Sequence, residues 1–90
     1  MAESSKYILA VPPEFERILK SLRKKRSLLK QLDARVGKIL MEPKLGKPLR
    51  NVLRNYRRVH INSYVLIYEI YHNEVRLLDF DHHDRVYKKY

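Results

Sequence analysis

Ninety residues carry 20 Lys and Arg against 10 Asp and Glu, a formal net charge of +10, with 44% hydrophobic content. That is enough for one small domain over residues 1–90, burying about 60–65% of its unfolded surface. The absence of cysteine excludes disulfides, thiol nucleophiles and cysteine-based zinc sites, and no apolar run approaches the ~20 residues of a membrane span.

In chain order, residues 6–11, KYILAV, form a short apolar run suited to a strand. Pro12 and Pro13 end it and suit a helix start, where a missing N–H costs nothing. Phe15, Ile18, Leu19 and Leu22 then fall on one helical stripe. Ser27 is the expected N-cap of a second helix, whose stripe is Leu28, Leu29, Leu32, Val36, Ile39 and Leu40. Glu42-Pro43 stops that helix, and EPKLGKPLRN reads as a loop. Strand periodicity follows in 56–61 (YRRVHI), 64–71 (YVLIYEIY) and 74–80 (EVRLLDF), separated by Asn62-Ser63 and His72-Asn73. The expected architecture is α+β, in the order β-α-α-β-β-β: an antiparallel sheet with a helical hairpin on one face and the other face open.

A monomer does not need this excess of positive charge, because self-repulsion opposes compactness. The partners that would use it are RNA, DNA, an acidic protein or a membrane face, and a chain this short and basic favours nucleic acid. Residues 1–17 lack the basic region and long apolar stretch of a secretory signal, so a cytoplasmic protein is expected. Scarce Gln and Cys beside abundant Lys and Arg resemble a thermophile's composition.

The cations fall into two clusters. Arg17 to Lys30 holds seven basic residues and no acid, and reads as a solvated helix face. Lys44 to Arg58 holds six, again without an acid. There Lys44, Lys47 and Arg50 lie in a loop and Arg57 and Arg58 on a strand, where alternation puts Arg58 and His60 on one face and Arg57, Val59 and Ile61 on the other. Seven tyrosines add stacking surface; Tyr64 and Tyr68 read as packing, while packing explains Tyr87 least.

The segment DFDHHDRVYKKY gathers three aspartates and two histidines within six positions. Carboxylates and imidazoles suit Zn²⁺, Mn²⁺ or Fe²⁺. Consecutive residues diverge on a strand, however, and the surrounding charge is positive, so no metal and no cofactor is expected. The alternative reading has the aspartates pairing with Arg76, Arg85 or nearby lysines.

From about Leu45 to Tyr87 the sequence resembles the RelE/ParE superfamily of toxins from toxin–antitoxin pairs, and the order of elements extends the likeness to nearly the whole chain. The residues that carry it are LGKPLR, then Arg58-Val59-His60-Ile61 where members have R-I-R-V, Tyr64-Val65-Leu66-Ile67-Tyr68 where they have Y-R-V-I-Y, and His82-His83-Asp84-Arg85-Val86-Tyr87 where they have H-R-x-x-V-Y. The resemblance implies a metal-independent endoribonuclease that enters the ribosomal A site and cleaves mRNA by attack of a 2′-hydroxyl on the neighbouring phosphate. It also implies an acidic, RelB-like antitoxin. ParE-like relatives instead act on DNA gyrase, and a weakened RNA-binding module of the same fold is a third reading. Carried over by position, Arg58, His60, His82 and His83 match basic positions and Tyr87 the terminal tyrosine. Val65 stands where an arginine often clamps phosphate, so either Arg85, Arg50 or Arg57 takes that part or the activity is weaker or different.

Such cleavage needs a base, an acid and cations on the phosphate. His60 or His83 is the expected base, and Tyr87 or the other histidine the acid. Arg58 and Arg85 are the expected phosphate holders, and Lys44, Lys47, Arg50, Arg57, Arg58, His82 and Lys88 the expected RNA contacts.

Overall fold

A computed structural model describes residues 6–50 and 55–90. Strand β1 (Ile8–Ala10) leads into helix α1 (Pro13–Ser21), then α2 (Arg26–Met41), a 3-10 turn (Pro43–Leu45), β2 (Lys47–Pro48), β3 (Tyr56–Ile61), β4 (Tyr64–Tyr71), β5 (Glu74–His82) and α3 (His83–Lys89). The sheet order is β1-β5-β4-β3-β2; β1 runs parallel to β5, and the remaining pairs are antiparallel. The mixed α+β architecture and the three-strand meander match the expectation, and β3 and β4 have the boundaries read from periodicity.

Helix α1 starts as the double proline dictates, with the Pro12 carbonyl accepting from the N–H groups of Phe15 (2.9 Å) and Glu16 (3.1 Å). Ser27 is not the N-cap of α2. Lys25 holds that position without a side-chain cap, and Ser27 lies inside the helix, its hydroxyl accepting from the Gln31 amide at 3.4 Å. Both short turns place their first residue in the left-handed region, Asn62 at φ 57° and His72 at φ 56°. Asparagine tolerates this conformation better than most non-glycine residues, by local hydrogen bonding.

The segment read as a loop after α2 is partly regular. Tyr68, fully buried, donates its hydroxyl to the Pro43 carbonyl (2.6 Å) and accepts from the Gly46 N–H (2.9 Å). Burial pushes the Tyr68 phenol above its ordinary pKa, against the Gly46 N–H and the Arg57 charge, which pull it down. Gly46 is required there: a Cβ would lie 2.7 Å from that hydroxyl and 2.8 Å from the Arg58 carbonyl.

The main core lies between the sheet and α1–α2. Phe15, Leu22, Leu28, Leu32, Val36 and Ile39 meet Val59, Ile61, Leu66, Tyr68, Val75, Leu77 and Phe80. The opposite face is not open. Strand β5 runs on to His82, and α3 folds back over the sheet, setting fully buried Val86 against Val65 and Ile67, with Leu49, Tyr56, Leu78 and Tyr90 around them. A register shift at Ile67/Tyr68 gives β5 one extra residue, so Leu78 and Asp79 both face α3. No helix among the described residues is long and apolar enough to cross a membrane.

Candidate functional site

Residues directly opposite one another in a sheet share a face. Lys47 pairs with Arg58, and His60 with Val65, so Lys47, Arg58 and His60 all project to the side where α3 packs. Tyr87 descends from α3 onto this row. Its hydroxyl lies 3.0 Å from His60 Nε2, with ring centroids 6.3 Å apart. Arg35, Leu45, Lys47, Arg58, Val59 and His60 line a cleft of about 300 Å³ at the β3 edge. Among the described residues, no carboxylate lines it. The Arg58 Nε is buried without a hydrogen-bond partner among the described residues, and its Nη1 makes only a long 3.5 Å contact to the Pro48 carbonyl. A buried donor without a partner carries a desolvation penalty that an anion in the cleft would relieve.

Arg35 was not among the residues singled out from the sequence. It borders the buried stripe of α2, and its guanidinium reaches the His60 carbonyl at 3.3 Å. Helical spacing alone does not reveal this, because the contact depends on how α2 crosses β3.

The other expected site residues are distributed around the molecule. Arg57 faces away from the cleft and donates to the carbonyls of Gly46 (2.6 Å) and Lys44 (3.4 Å), pinning the segment before β2. Lys44, Arg50 and Lys88 are exposed. Arg85 lies on the other flank of α3 from Tyr87, bonded to Asp81 at 2.9 Å. Burial pushes the Asp81 carboxyl up, but the His82 N–H, the Arg85 hydrogen bond and the charges of Arg85 and Lys89 together hold it below its ordinary value. Lys89 also reaches Asp79 at 2.8 Å. These contacts are the aspartate pairing that the sequence allowed.

His82 shares its face with Tyr64 and Ile61, on the α1–α2 side of the sheet. Its Nδ1 accepts from the Asp84 N–H at 3.4 Å, capping α3, and its ring stacks on His83 at 4.6 Å. His82, His83 and Asp84 bring their ligand-type atoms within 4.8 Å of one another. The His82 Nδ1 lone pair is already engaged by the Asp84 N–H, the Asp84 carboxylate lies 3.7 and 3.1 Å from the two Nδ1 atoms, and the group stands at the positive end of a helix, which disfavours a cation. No contact between His83 and His60 occurs among the described residues. The geometry therefore joins His60, Tyr87, Arg58 and Lys47, and leaves His82, His83 and Arg85 outside that group.

A sheet flanked by a helical hairpin, with a basic cleft and a tyrosine returning from the last helix, defines a small toxin fold, and comparison with known proteins bears this out. Residues 9–87 match the family of ParE toxins of type II toxin–antitoxin systems, parDE. The chain belongs to this family, within the RelE/ParE superfamily, and is a RelE-like toxin. A protein of Methanocaldococcus jannaschii whose name places it among RelE toxins, RelE4, is 37% identical over 87 residues, covering 92% of this chain and 93% of its own. A chain of the RelBE2 toxin–antitoxin complex from Mycobacterium tuberculosis superposes with a TM-score of 0.70 at 30% identity, over 84% of this chain and 96% of that one. A chain of the E. coli DinJ–YafQ complex superposes at 0.72 over 91% and 98%; at 17% identity it is similar in fold.

Proposed function

We propose that this toxin is a metal-independent endoribonuclease that cuts mRNA in the ribosomal A site. The observation that carries the reading is the 3.0 Å contact between Tyr87 and His60 Nε2, beside a cleft lined by three cations and, among the described residues, no carboxylate. In the tautomer whose Nε2 carries no proton, His60 accepts from the Tyr87 hydroxyl and is placed to take the 2′-hydroxyl proton. The 2′-oxygen then bonds to phosphorus and the P–O5′ bond breaks, leaving a 2′,3′-cyclic phosphate and a 5′-hydroxyl. Protonated His60 in turn donates toward the Tyr87 oxygen, so the phenolic proton becomes available to the leaving 5′-oxygen. Arg58 and Lys47 neutralise the crowded phosphate, and the orphan Arg58 Nε gains an acceptor. Arg85 and His83 serve RNA from the flank rather than the reacting phosphate. In this reading the ribosome orients the strand and makes up for the missing arginine at Val65, while an acidic, RelB-like antitoxin neutralises the +10 chain.

The test is cleavage on ribosomes holding a defined codon in the A site, with chelator present. Wild-type protein is expected to cut within that codon and not to cut free mRNA. His60→Ala and Tyr87→Phe should bind ribosomes and leave the codon intact. Cleavage that persists in both variants would refute the site. The ParE family match favours a second reading, a toxin that binds DNA gyrase; intact mRNA together with inhibited gyrase supercoiling would select it.

A further inference from the structure

The cations read from the sequence as a solvated helix face do not form a uniform stripe. Lys24, Lys25 and Arg26 converge at the α1–α2 connection, where they meet the β3–β4 turn. Between the two lies a groove of about 500 Å³, which also takes in Ser27, Gln31, Asn62, Ser63 and Tyr64. All seven cations from Arg17 to Lys30 are exposed, and none forms an ion pair among the described residues. Holding so many like charges unpaired disfavours the free protein, and a polyanion removes that cost.

We infer that this tip is a second RNA contact, separate from the His60–Tyr87 cleft, which grips the sugar–phosphate backbone of structured RNA. The inference rests on the proposed action on RNA and adds where the body of that RNA is held. Two features favour RNA over an acidic protein. Besides its cations, the groove offers hydroxyls and carboxamides, which suit phosphate oxygens and ribose hydroxyls. The groove's apolar members, Leu28 and Tyr64, are already engaged in the main core, and among the described residues the exposed large apolar side chains, Ile8, Leu9, Met41, Leu45, Tyr71 and Tyr87, all lie elsewhere, so no free apolar anchor for a protein partner stands at the tip. The tip also stands at the end of the sheet where His82 pairs with Tyr64 and the His83 N–H meets the Ser63 carbonyl. Backbone gripped at the tip is thus one strand-end away from His60.

Binding of a labelled RNA hairpin, measured over a salt series, tests this. The Lys24→Gln/Lys25→Gln/Arg26→Gln variant should bind about tenfold or more weakly at ~0.1 M salt, and its slope of log affinity against log salt should fall by about 2–3, as roughly three phosphate contacts are lost. Arg76→Gln, which removes a cation outside both the tip and the cleft, should keep the wild-type slope. An unchanged slope in a triple variant that melts like wild type overturns the tip contact, and so does wild-type preference for a poly-glutamate peptide over the hairpin. Because the readout is binding, a wild-type protein that loses affinity with the tip charges yet never cuts mRNA would refute the endonuclease and keep the tip.

Discussion

Lys89 Nζ lies 2.8 Å from the Asp79 carboxylate, joining the last turn of α3 to the bulge in β5. Asp79 is 6% exposed and also accepts from the Phe80 N–H, whereas Lys89 is half exposed. Removing the lysine strands a buried carboxylate that water cannot reach well. Lys89→Ala should therefore cost ~1–3 kcal/mol by denaturant melting, and Asp79→Asn/Lys89→Met should recover part of that loss. A melt unchanged in Lys89→Ala would show that α3 is held by Val86 without the ion pair.

Tyr68 bridges two backbone groups that no strand satisfies. Tyr68→Phe leaves the Pro43 carbonyl and the Gly46 N–H buried without partners, and should cost ~1–3 kcal/mol. Gly46→Ala should cost as much for a different reason, since its Cβ meets the rigid Arg58 carbonyl at 2.8 Å. Urea midpoints of the two variants check both; wild-type values in either would remove this anchor from the account.

Asp81 links stability to acid. Its carboxyl is lower in the folded chain than in the unfolded one, so its contribution is full above the unfolded value of about 3.9 and vanishes as pH falls through the folded value. Asp81→Asn should lose ~0.2–1 kcal/mol near neutrality, the range of an exposed pair. That deficit should close between about pH 5 and pH 2. A deficit constant across this range would locate the effect in something other than the ionised carboxylate.

His60 and Tyr87 are proposed to act as one unit, and units are not additive. Each single variant should lower cleavage by ~10²–10⁴, with little change in melting because both side chains are exposed. The double variant should be no worse than the weaker single. Multiplicative losses would assign the two residues to separate steps.

The three central strands were readable because β-branched and aromatic residues are dense there and short polar pairs, Asn62-Ser63 and His72-Asn73, separate the runs. Helix α3 was not, for a physical reason: of its seven residues only Val86 is buried, so no helical stripe exists to be seen. The helix is held by contacts that arise only in three dimensions, with Arg85 and Lys89 on aspartates of β5 and Val86 on Val65 and Ile67. Strand β2 escaped because two residues between Gly46 and Leu49 carry no period. The consequence for the site was direct. Strand alternation separated Arg57 from Arg58 and His60, but grouping His83 and Arg85 with them required α3 to be a tail. Once it is a helix, Arg85 turns to the far flank and His83 stacks on His82.

Val65 is completely buried under α3, against Val86. During synthesis β3 and β4 emerge well before α3, so the nascent chain displays Val65 and Ile67 as a bare apolar strip and has His60 but not Tyr87. The last turn of polypeptide both covers that strip and delivers the phenol. The strip's cover and the complete cleft thus arrive together, and a truncation ahead of Val86 forfeits both at once.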